Sequence, residues 1–378
     1  MRDRLEFQSD RIEAVLAVHK VPARVTGGTV TPRWIHFQIL PAVGAKLSRI
    51  KNLSEELAAA LDVPTCRVSR RGATVALEVP RDDPEPVRLL PLFRQLSTEP
   101  DGIPSYTACL GLAEDGAPLL IRLPSPDVAH ILLAGTTGSG KTALLRTMVL
   151  SLAMANPPLV ADRLGPRESG GLALVLIDPK GHALAPFSGL PHLARPVIQD
   201  TAEATEALQS LVRLMERTGR PARQACVVVV IDELADLMMT GGEALQVALT
   251  RLTQRGREAG IHVVAATQKP TAQVLGPLIK ANFPVRLVGR VTSIEDARTA
   301  SGWGGTGAER LTGRGDFLAI AEGRMLRFQA AYVSEGEIAG CRDSLVHDVH
   351  RTPDTRSMAI GPVALSWPMR QLASVLRR

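Results

Sequence analysis

Residues 135–142, Gly-Thr-Thr-Gly-Ser-Gly-Lys-Thr, constrain the fold of this chain more than any other stretch. They match the pattern G-x-x-x-x-G-K-[ST] at every fixed position, between the apolar run AHILLAG and the helical pattern TALLRTMVLSLAM. Glycines let successive backbone N–H groups turn inward towards a phosphate, and the following helix adds its positive dipole. The stretch therefore predicts a strand, a phosphate-binding loop and a helix. The alternative is a glycine turn that only links the two elements.

The residue types of this loop indicate how it would hold a nucleotide. In such loops the lysine reaches the β- and γ-phosphates, and the hydroxyl of the next residue binds Mg²⁺. We therefore expect Lys141 at the phosphates and Thr142 at the metal ion. The predicted nucleotide-binding residues are Gly135, Thr136, Thr137, Gly138, Ser139, Gly140, Lys141, Thr142 and Ala143.

A nucleoside triphosphatase also needs carboxylates at a strand end, and the chain offers two candidates. The run LALVLIDPKG ends on Asp178, and VVVVIDELADLM ends on Asp232 and Glu233. Only the second supplies adjacent carboxylates, so we expect Asp232 to help hold Mg²⁺ and Glu233 to polarise the attacking water. That division is typical of ATP hydrolysis that drives mechanical work. Asp178 is better interpreted as a neighbouring strand-end residue that supports its loop.

A further strand pattern, IHVVAATQ, ends on two polar residues. Thr267 and Gln268 could sense the γ-phosphate from beside the two carboxylates. We therefore add Gln268 to the predicted catalytic residues Lys141, Asp232 and Glu233, with ATP and Mg²⁺ as the expected cofactors.

Hydrophobic patterning divides the chain into two domains. Residues 3 to about 20 form a predicted helix, RWIHFQIL and ATVALEV alternate as strands do, and LSRIKNLSEELAAALD carries leucine and isoleucine at helical spacing. From about 105 onward, runs that are apolar at consecutive positions suit parallel strands covered on both faces. We predict a small α+β domain at 1–85, a linker at 86–104, an α/β domain with a mostly parallel sheet at 105–340 and a tail at 341–378.

Composition and charge limit the class of protein. No apolar run approaches the ~18 residues of a membrane-spanning helix and no signal peptide is recognised, so we expect a cytoplasmic protein. The four cysteines contain no C-x-x-C pair, which argues against a zinc site and a disulfide framework. The net charge is +6, and residues 251–330 hold twelve lysines and arginines against six acidic residues. This surplus favours a surface that contacts a phosphate backbone over an ordinary solvated basic face.

Six segments carry a family resemblance: HILLAGTTGSGKT, LIDPKG, GLPHLARPVIQD, VVVVIDELADLMM, RLTQRGREAGIHVVAATQKP and GPLIKANFPVRL. In this order, from about 105 to 335, they resemble the motor region of the FtsK/SpoIIIE family of DNA translocases. The stretch IKNLSEELAAAL resembles part of the small α domain that precedes this motor. The resemblance implies a RecA-like P-loop NTPase core, a homo-oligomeric ring of six subunits, and double-stranded DNA threaded through its pore at the expense of ATP.

The resemblance also implies further site residues. In family rings an arginine from the neighbouring subunit completes the ATPase site, and the matching segment TQRGREAGIH places it at Arg257. The family's DNA-facing loops match TQKPTAQVLGPLIKAN and VTSIEDAR, which implies sequence-independent phosphate contacts by Lys269, Lys280 and Arg298. The family pattern S-S-K-I-D-S-R has a lysine where this chain has Ile294, so each subunit offers one cation fewer.

The ends of the chain depart from the usual family organisation. Members usually carry membrane-spanning helices and a long linker before the motor, and a winged-helix domain after it. Only about forty residues follow the last strand pattern here. We expect a minimal translocase without a membrane segment, or the motor of a longer one, that serves chromosome segregation or the transfer of a mobile element.

Two other functions stay open. Related ATPases drive proteins through secretion channels, typically with several motor copies on a membrane-anchored chain, whereas this chain has one copy and a basic pore segment. A P-loop regulator, or a kinase for a small molecule, is the third hypothesis. Glu233 beside Asp232, Arg257 and the lack of an obvious acceptor pocket weigh against it. ATPase activity stimulated by nucleic acid would separate the first function from both others.

Overall fold

A computed structural model of the chain describes residues 2–71, 74–159, 171–218, 226–270, 282–351 and 370–371. Its contacts divide the chain into two compact units. The first unit contains Met1–Pro86 and Glu114–Gly116, and the second contains Val87–Ala113 and Ala117–Arg378. Each unit has a hydrophobic core of its own.

The first unit combines an antiparallel sheet with helices. Its sheet has the order β1-β2-β4-β3, with β1 at Ala23–Val30, β2 at Trp34–Pro41, β3 at Arg67–Arg71 and β4 at Thr74–Pro80. Its helices are α1 at Arg2–Val18, α2 at Leu47–Asn52 and α3 at Ser54–Ala60. Ile12 and Leu16 of α1 belong to one core with Ile50, Leu57 and Phe37. The predicted first helix and the two predicted strands are confirmed, and the helical run after them forms α2 and α3.

The second unit is built on a large mixed sheet, which has ten strands among the described residues and the order β14-β6-β5-β13-β12-β11-β7-β10-β9-β8. The strands are β5 at Thr107–Ala113, β6 at Pro118–Arg122, β7 at Ile131–Ala134, β8 at Leu172–Ile177, β9 at Cys226–Ile231, β10 at Ile261–Thr267, β11 at Val285–Val288, β12 at Asp316–Ala321, β13 at Arg324–Ala330 and β14 at Arg370–Gln371. The helices are α4 at Leu89–Thr98, α5 at Lys141–Ala155, α6 at Thr201–Thr218, α7 at Leu234–Thr240, α8 at Gly242–Arg255, α9 at Ile294–Ser301 and α10 at Glu335–Arg351. No helix of the described part is both long and apolar enough to cross a membrane.

Strands β11, β7, β10, β9 and β8 form the parallel half of this sheet. Alternate residues of each strand enter different cores: Leu133 packs in one core with α5, and Leu132 packs in another with α6 and α8. Both faces are therefore covered, which explains why these strands are apolar at consecutive positions. The predicted α/β class with a parallel core is confirmed, and the carboxyl ends of the five strands lie along one edge of the sheet.

The other half of the sheet is antiparallel apart from β14, which pairs parallel with β6, and the sequence patterns do not predict it. Strands β11, β12, β13, β5 and β6 pair antiparallel in that order. Strand β13 buries only Phe328 and Ala330, and β6 has three consecutive buried residues. Strands β5 and β12 are buried almost throughout, as the parallel strands are, so burial alone does not reveal their antiparallel pairing.

Two predicted boundaries differ from the elements that form there. The segment 86–104 was predicted as a linker, but its residues 89–98 form α4, whose Leu89, Leu92, Phe93 and Leu96 are buried in the core of the second unit. Their spacing of three and four residues gives one apolar helix face, which packs rather than stays in solvent. Helix α10 continues across the predicted boundary at 340/341, and the rest of the predicted tail, apart from 370–371, lies outside the described residues.

Candidate active site

The predicted phosphate-binding loop lies between β7, which ends at Ala134, and α5, which begins at Lys141. Its backbone has φ values of 79° at Gly138 and 98° at Gly140, a region that residues with a side chain rarely adopt. A Cβ at Gly140 would also lie 2.6 Å from the backbone nitrogen of Gly315. Glycine at position 140 therefore meets a conformational and a steric requirement. The predicted order of strand, loop and helix is confirmed.

A second loop, residues 312–316, supports the phosphate-binding loop from the side of β12. The N–H of Arg314 donates to the carbonyl of Gly138 at 2.9 Å, and the N–H of Gly315 donates to the carbonyl of Ser139 at 2.8 Å. We call residues 312–316 the support loop. These two bonds hold the turn of the phosphate-binding loop from the outside, and the sequence analysis missed them. The closely spaced glycines of TGRG were the signal available in the sequence.

A partly buried ion pair anchors the support loop. Asp316 accepts from Nε and Nη2 of Arg327 at 2.7 and 2.8 Å, and from the backbone N–H and hydroxyl of Thr312 at 2.9 and 3.0 Å. Burial alone would raise the pKa of the Asp316 carboxyl, but Arg327 and Thr312 together hold this pKa below its usual value. Asp316 is therefore a charged carboxylate that ties the support loop to β13.

Asp232 and Glu233 follow β9 at the carboxyl edge of the sheet, and they are only 5% and 2% exposed. The Lys141 Nζ lies 3.7 Å from the Oδ1 of Asp232 and 4.0 Å from the Oε2 of Glu233, and it donates to the Asp232 carbonyl at 3.0 Å. Burial raises the pKa of Asp232, Lys141 opposes this shift, and Asp178 and Glu233 add to it. The structure thus brings three of the predicted catalytic residues into one cluster.

The surroundings of Asp232 fit a magnesium ion. Its Oδ1 is buried and has no hydrogen-bond partner among the described residues. A buried carboxylate oxygen in this position is costly unless a cation or donor reaches it. Mg²⁺ takes one or two protein oxygens together with water and phosphate oxygens. Thr142, the second residue of α5, would supply the hydroxyl, and Asp232 would supply the carboxylate.

Thr267 and Gln268 lie beside Glu233, as the sequence analysis predicted. The Thr267 hydroxyl donates to the Glu233 Oε1 at 2.9 Å, and the Gln268 N–H donates to the same oxygen at 3.1 Å. The Thr137 hydroxyl donates to the Gln268 Oε1 at 3.1 Å. Gln268 therefore joins the phosphate-binding loop to the carboxylate cluster.

Two further residues at this edge of the sheet were missed, Lys180 beside the carboxylates and Arg290 beside the phosphate-binding loop. The Lys180 Nζ lies 3.1 Å from the Asp236 Oδ2 and 3.8 Å from the Glu233 Oε2. The carbonyl of Arg290 accepts from the backbone N–H and the hydroxyl of Thr136 at 2.9 and 3.0 Å. Lys180 follows the carboxyl end of β8, and Arg290 follows that of β11. A position just after a parallel strand is the signal that could have identified them.

Asp178 has a supporting role in the structure, in agreement with its interpretation from the sequence. Its two carboxylate oxygens accept from the backbone N–H groups of Gly181 and Leu184 at 3.0 and 2.9 Å. The side chain is fully buried. Asp178 therefore fixes the loop that carries Lys180.

Arg257 lies away from the cluster of its own chain. It is exposed in the turn Gly256–Ala259, which precedes the amino end of β10, whereas Gln268 follows the carboxyl end of that strand. Seven extended residues span about 20 Å. The Arg257 side chain therefore has no path to the phosphate-binding loop of the same chain.

The predicted DNA contacts are only partly described. Lys269 is exposed just after β10, and Arg298 is exposed in the last turn of α9, whereas Lys280 lies outside the described residues. Ile294, at the usual lysine position, begins α9 and is 67% exposed. Part of the basic surplus of residues 251–330 does not lie on the surface, because Arg286 is buried and Arg327 pairs with Asp316.

Two solved structures with a similar fold are a conjugation coupling protein and a secretion ATPase. The pCW3 conjugation coupling protein TcpA, in its monomer form with ATPγS, has a TM-score of 0.60 and 18% identity, with 90% of this chain and 99% of that chain covered. The cytoplasmic domain of the Thermomonospora curvata type VII secretion ATPase EccC has a TM-score of 0.54 and 23% identity, with 68% and 33% covered. This likeness concerns the fold, and it confirms the predicted RecA-like P-loop class.

Sequence comparison gives the family. The model of the FtsK alpha domain matches residues 1–81, and the model of the FtsK/SpoIIIE family matches residues 103–225 and 218–272. The DNA translocase FtsK of Sporosarcina ureae is 33% identical over 368 residues, which cover 89% of this chain and 45% of that protein. The chain thus spans about half the length of the curated relatives it matches. With both family models matched in order and the phosphate-binding loop and carboxylates in place, the chain belongs to the FtsK/SpoIIIE family.

Proposed function

We propose that this protein is an ATP-driven translocase of double-stranded DNA that works as a hexameric ring, in chromosome segregation or in the transfer of a mobile element. The observation that carries the proposal is the cluster of Lys141, Asp232, Glu233 and Gln268 around the phosphate-binding loop. We infer the DNA substrate from membership of the FtsK/SpoIIIE family, because the relatives carry the name DNA translocase.

Each residue of the cluster has a separate task in this proposal. Residues 135–143 hold the phosphates of ATP, and Thr142 and Asp232 hold Mg²⁺, which neutralises phosphate charge when bound. Lys141 lies beside both carboxylates, and in this proposal its ammonium group also binds the β- and γ-phosphates. Glu233 polarises the attacking water, and Gln268 contacts the γ-phosphate from the end of β10.

The position of Arg257 supports a shared site between subunits. It lies about one strand length from the phosphate-binding loop of its own chain, so it can serve only the nucleotide of another. An arginine placed in trans stabilises the charge of the phosphoryl-transfer transition state. A closed ring gives every nucleotide such a neighbour, and the family resemblance sets the proposed number of subunits at six.

Salt-dependent binding of duplex DNA tests the substrate. Lys280→Ala and Arg298→Ala should each weaken binding uniformly across sequences and lower the slope of log affinity against log salt by about one unit. ATP affinity should stay unchanged, and ATPase stimulation by duplex DNA should fall. Ile294→Lys should tighten DNA binding and steepen the slope. Fluorescence anisotropy with two unrelated duplexes at four salt concentrations measures these quantities.

Arg213, exposed on α6, provides a matched control for this experiment. Arg213→Ala removes the same charge from an element outside the proposed DNA-facing loops, and it should keep the parent slope. If Lys280→Ala and Arg298→Ala also keep it at every salt, the DNA-facing assignment is wrong. If duplex DNA does not change the ATPase rate of the parent protein, this result would contradict DNA translocation itself and favour the protein-secretion function.

A further inference from the structure

Two buried histidines lie beneath the turn that carries Arg257. His130 directly precedes β7, and His262 is the second residue of β10. The Nδ1 of His130 accepts from the backbone N–H of Val263 at 3.0 Å, and the Nδ1 of His262 donates to the Ala129 carbonyl at 2.8 Å. The two residues just before β7 therefore hold the start of β10.

The His130 ring makes a second hydrogen bond, at the end of α8. Burial lowers the pKa of His130 to about 3, although a backbone hydrogen bond with Thr253 opposes this shift. A bond that favours the protonated ring must be accepted by the backbone, so the partner is the Thr253 carbonyl. The neutral ring carries its one proton on Nε2, because Nδ1 accepts from Val263. His130 thus donates to α8 and accepts from β10.

One side chain therefore holds both ends of the segment 253–263. Arg257 is exposed in the turn Gly256–Ala259, between these two ends. An arginine that acts on a neighbour's nucleotide has to be placed accurately, because a displacement of about 1 Å can cost about 10²-fold in rate. The two bonds of His130 limit how far the turn can move, and they fix it to β7, the strand that leads into the phosphate-binding loop.

We propose that His130 is a positioning residue for Arg257, and that it fixes the segment that offers this arginine to the nucleotide of the neighbouring subunit. The inference rests on the proposed function, in which Arg257 acts on another chain. His130 lies before the amino end of β7, and the phosphate-binding loop follows the carboxyl end, about 13 Å away. Loss of His130 should therefore spare the ATP site of its own chain and weaken that of the next.

Two variants each keep one of the two hydrogen bonds. The amide of His130→Asn lies near the position of Nδ1 and can accept from Val263, whereas the amide of His130→Gln lies near Nε2 and can donate to Thr253. Each variant should lower the ATPase rate of the full chain with duplex DNA by about tenfold, the size expected for the loss of one hydrogen bond. The affinity for a fluorescent ATP analogue should stay at the parent value.

Mixed rings show in which subunit the defect acts. His130→Asn mixed with Glu233→Gln should hydrolyse ATP faster than the mean of the two separate proteins, because some interfaces then combine an intact Glu233 with a well-placed Arg257. His130→Asn mixed with Arg257→Ala should give only the mean, because neither kind of subunit offers a well-placed Arg257. A defect in the ATP site of the variant's own chain would give the opposite pattern. The same mixtures with His130→Gln repeat the comparison.

His192 provides a matched control, because it is also buried and its Nε2 donates to the Asn156 carbonyl at 2.8 Å, away from the segment 253–263. His192→Asn should keep the parent rate. Parent rates for both His130 variants, or recovery with Arg257→Ala and not with Glu233→Gln, overturn the proposal. If Arg257→Ala and Glu233→Gln do not complement each other in verified mixed rings, the shared site of the proposed function is wrong, and the inference is wrong with it.

Discussion

At the scale of single residues, Lys141 and Glu233 share one cluster, but the proposed function assigns them to different tasks on the nucleotide. The Lys141 ammonium lies beside both carboxylates, at the start of the helix that follows the phosphate-binding loop. Glu233 follows β9, which β10 separates from β7, and its carboxylate accepts from Thr267 at the end of β10. Loss of the phosphate contact of Lys141 should therefore affect ATP binding, whereas loss of the Glu233 base should affect ATP turnover.

Lys141→Ala should abolish tight ATP binding, because it removes the cation that reaches the β- and γ-phosphates. Glu233→Gln should keep ATP binding and lower turnover by about 10²-fold or more, because the amide keeps the shape but cannot act as a base. Equilibrium binding of a fluorescent ATP analogue and steady-state hydrolysis separate the two effects. A Glu233→Gln protein that hydrolyses ATP at the parent rate would show that the base has been assigned wrongly.

The sequence predicted those site residues that lie within continuous motifs. The phosphate-binding loop and the Asp232–Glu233 pair each follow one apolar run, so strand and function are visible together in a few adjacent letters. Arg314 and Lys180 reach the same site from distant parts of the chain. Their contacts depend on how β12 and β8 are placed in the sheet, and a single sequence without a strand order does not contain that placement.

At the scale of elements, the support loop joins the antiparallel half of the sheet to the phosphate-binding loop. Its anchor is the Asp316–Arg327 pair, in which Asp316 is buried, Arg327 is partly buried, and two hydrogen bonds of 2.7 and 2.8 Å join them. The antiparallel half could not be predicted from apolar runs, because β13 buries only some of its residues, and the buried strands β5 and β12 do not reveal their pairing direction. The unpredicted strands are therefore the ones that hold the predicted loop in shape.

Asp316→Asn should destabilise the second unit by about 1.5–3 kcal/mol, because it removes the charged partner of the partly buried Arg327. Since the folded-state pKa of Asp316 is lowered, the stabilisation is complete above the unfolded pKa of about 3.9 and is lost as the pH falls through the folded value. Urea unfolding at pH 7 and at pH 3 should therefore show a smaller difference between variant and parent at pH 3. Asp343→Asn, in an exposed pair with Arg342, is the control and should cost less than about 1 kcal/mol. An equally small effect of Asp316→Asn would contradict the anchoring role.

At the scale of the whole molecule, the proposed active site is divided between two chains. Arg257→Ala alone should lower turnover by about 10³-fold, as expected for an arginine that stabilises the transition state. Mixing it with Glu233→Gln subunits should restore some hydrolysis, because some interfaces then combine an intact Glu233 with an intact Arg257. ATPase assays across mixing ratios, with mixed rings verified by native mass spectrometry, measure the recovery. No recovery in verified mixed rings would contradict the shared site.

The separation of Arg257 from its own phosphate-binding loop by the length of β10 has a consequence for energy use in the cell. A chain that has not yet met another lacks the arginine it needs, so unassembled protein would bind ATP without consuming it. ATP consumption would then depend on the local concentration of the protein and not on its total amount. If the site is shared as proposed, the length of one strand would protect the cell's ATP from chains that are not assembled.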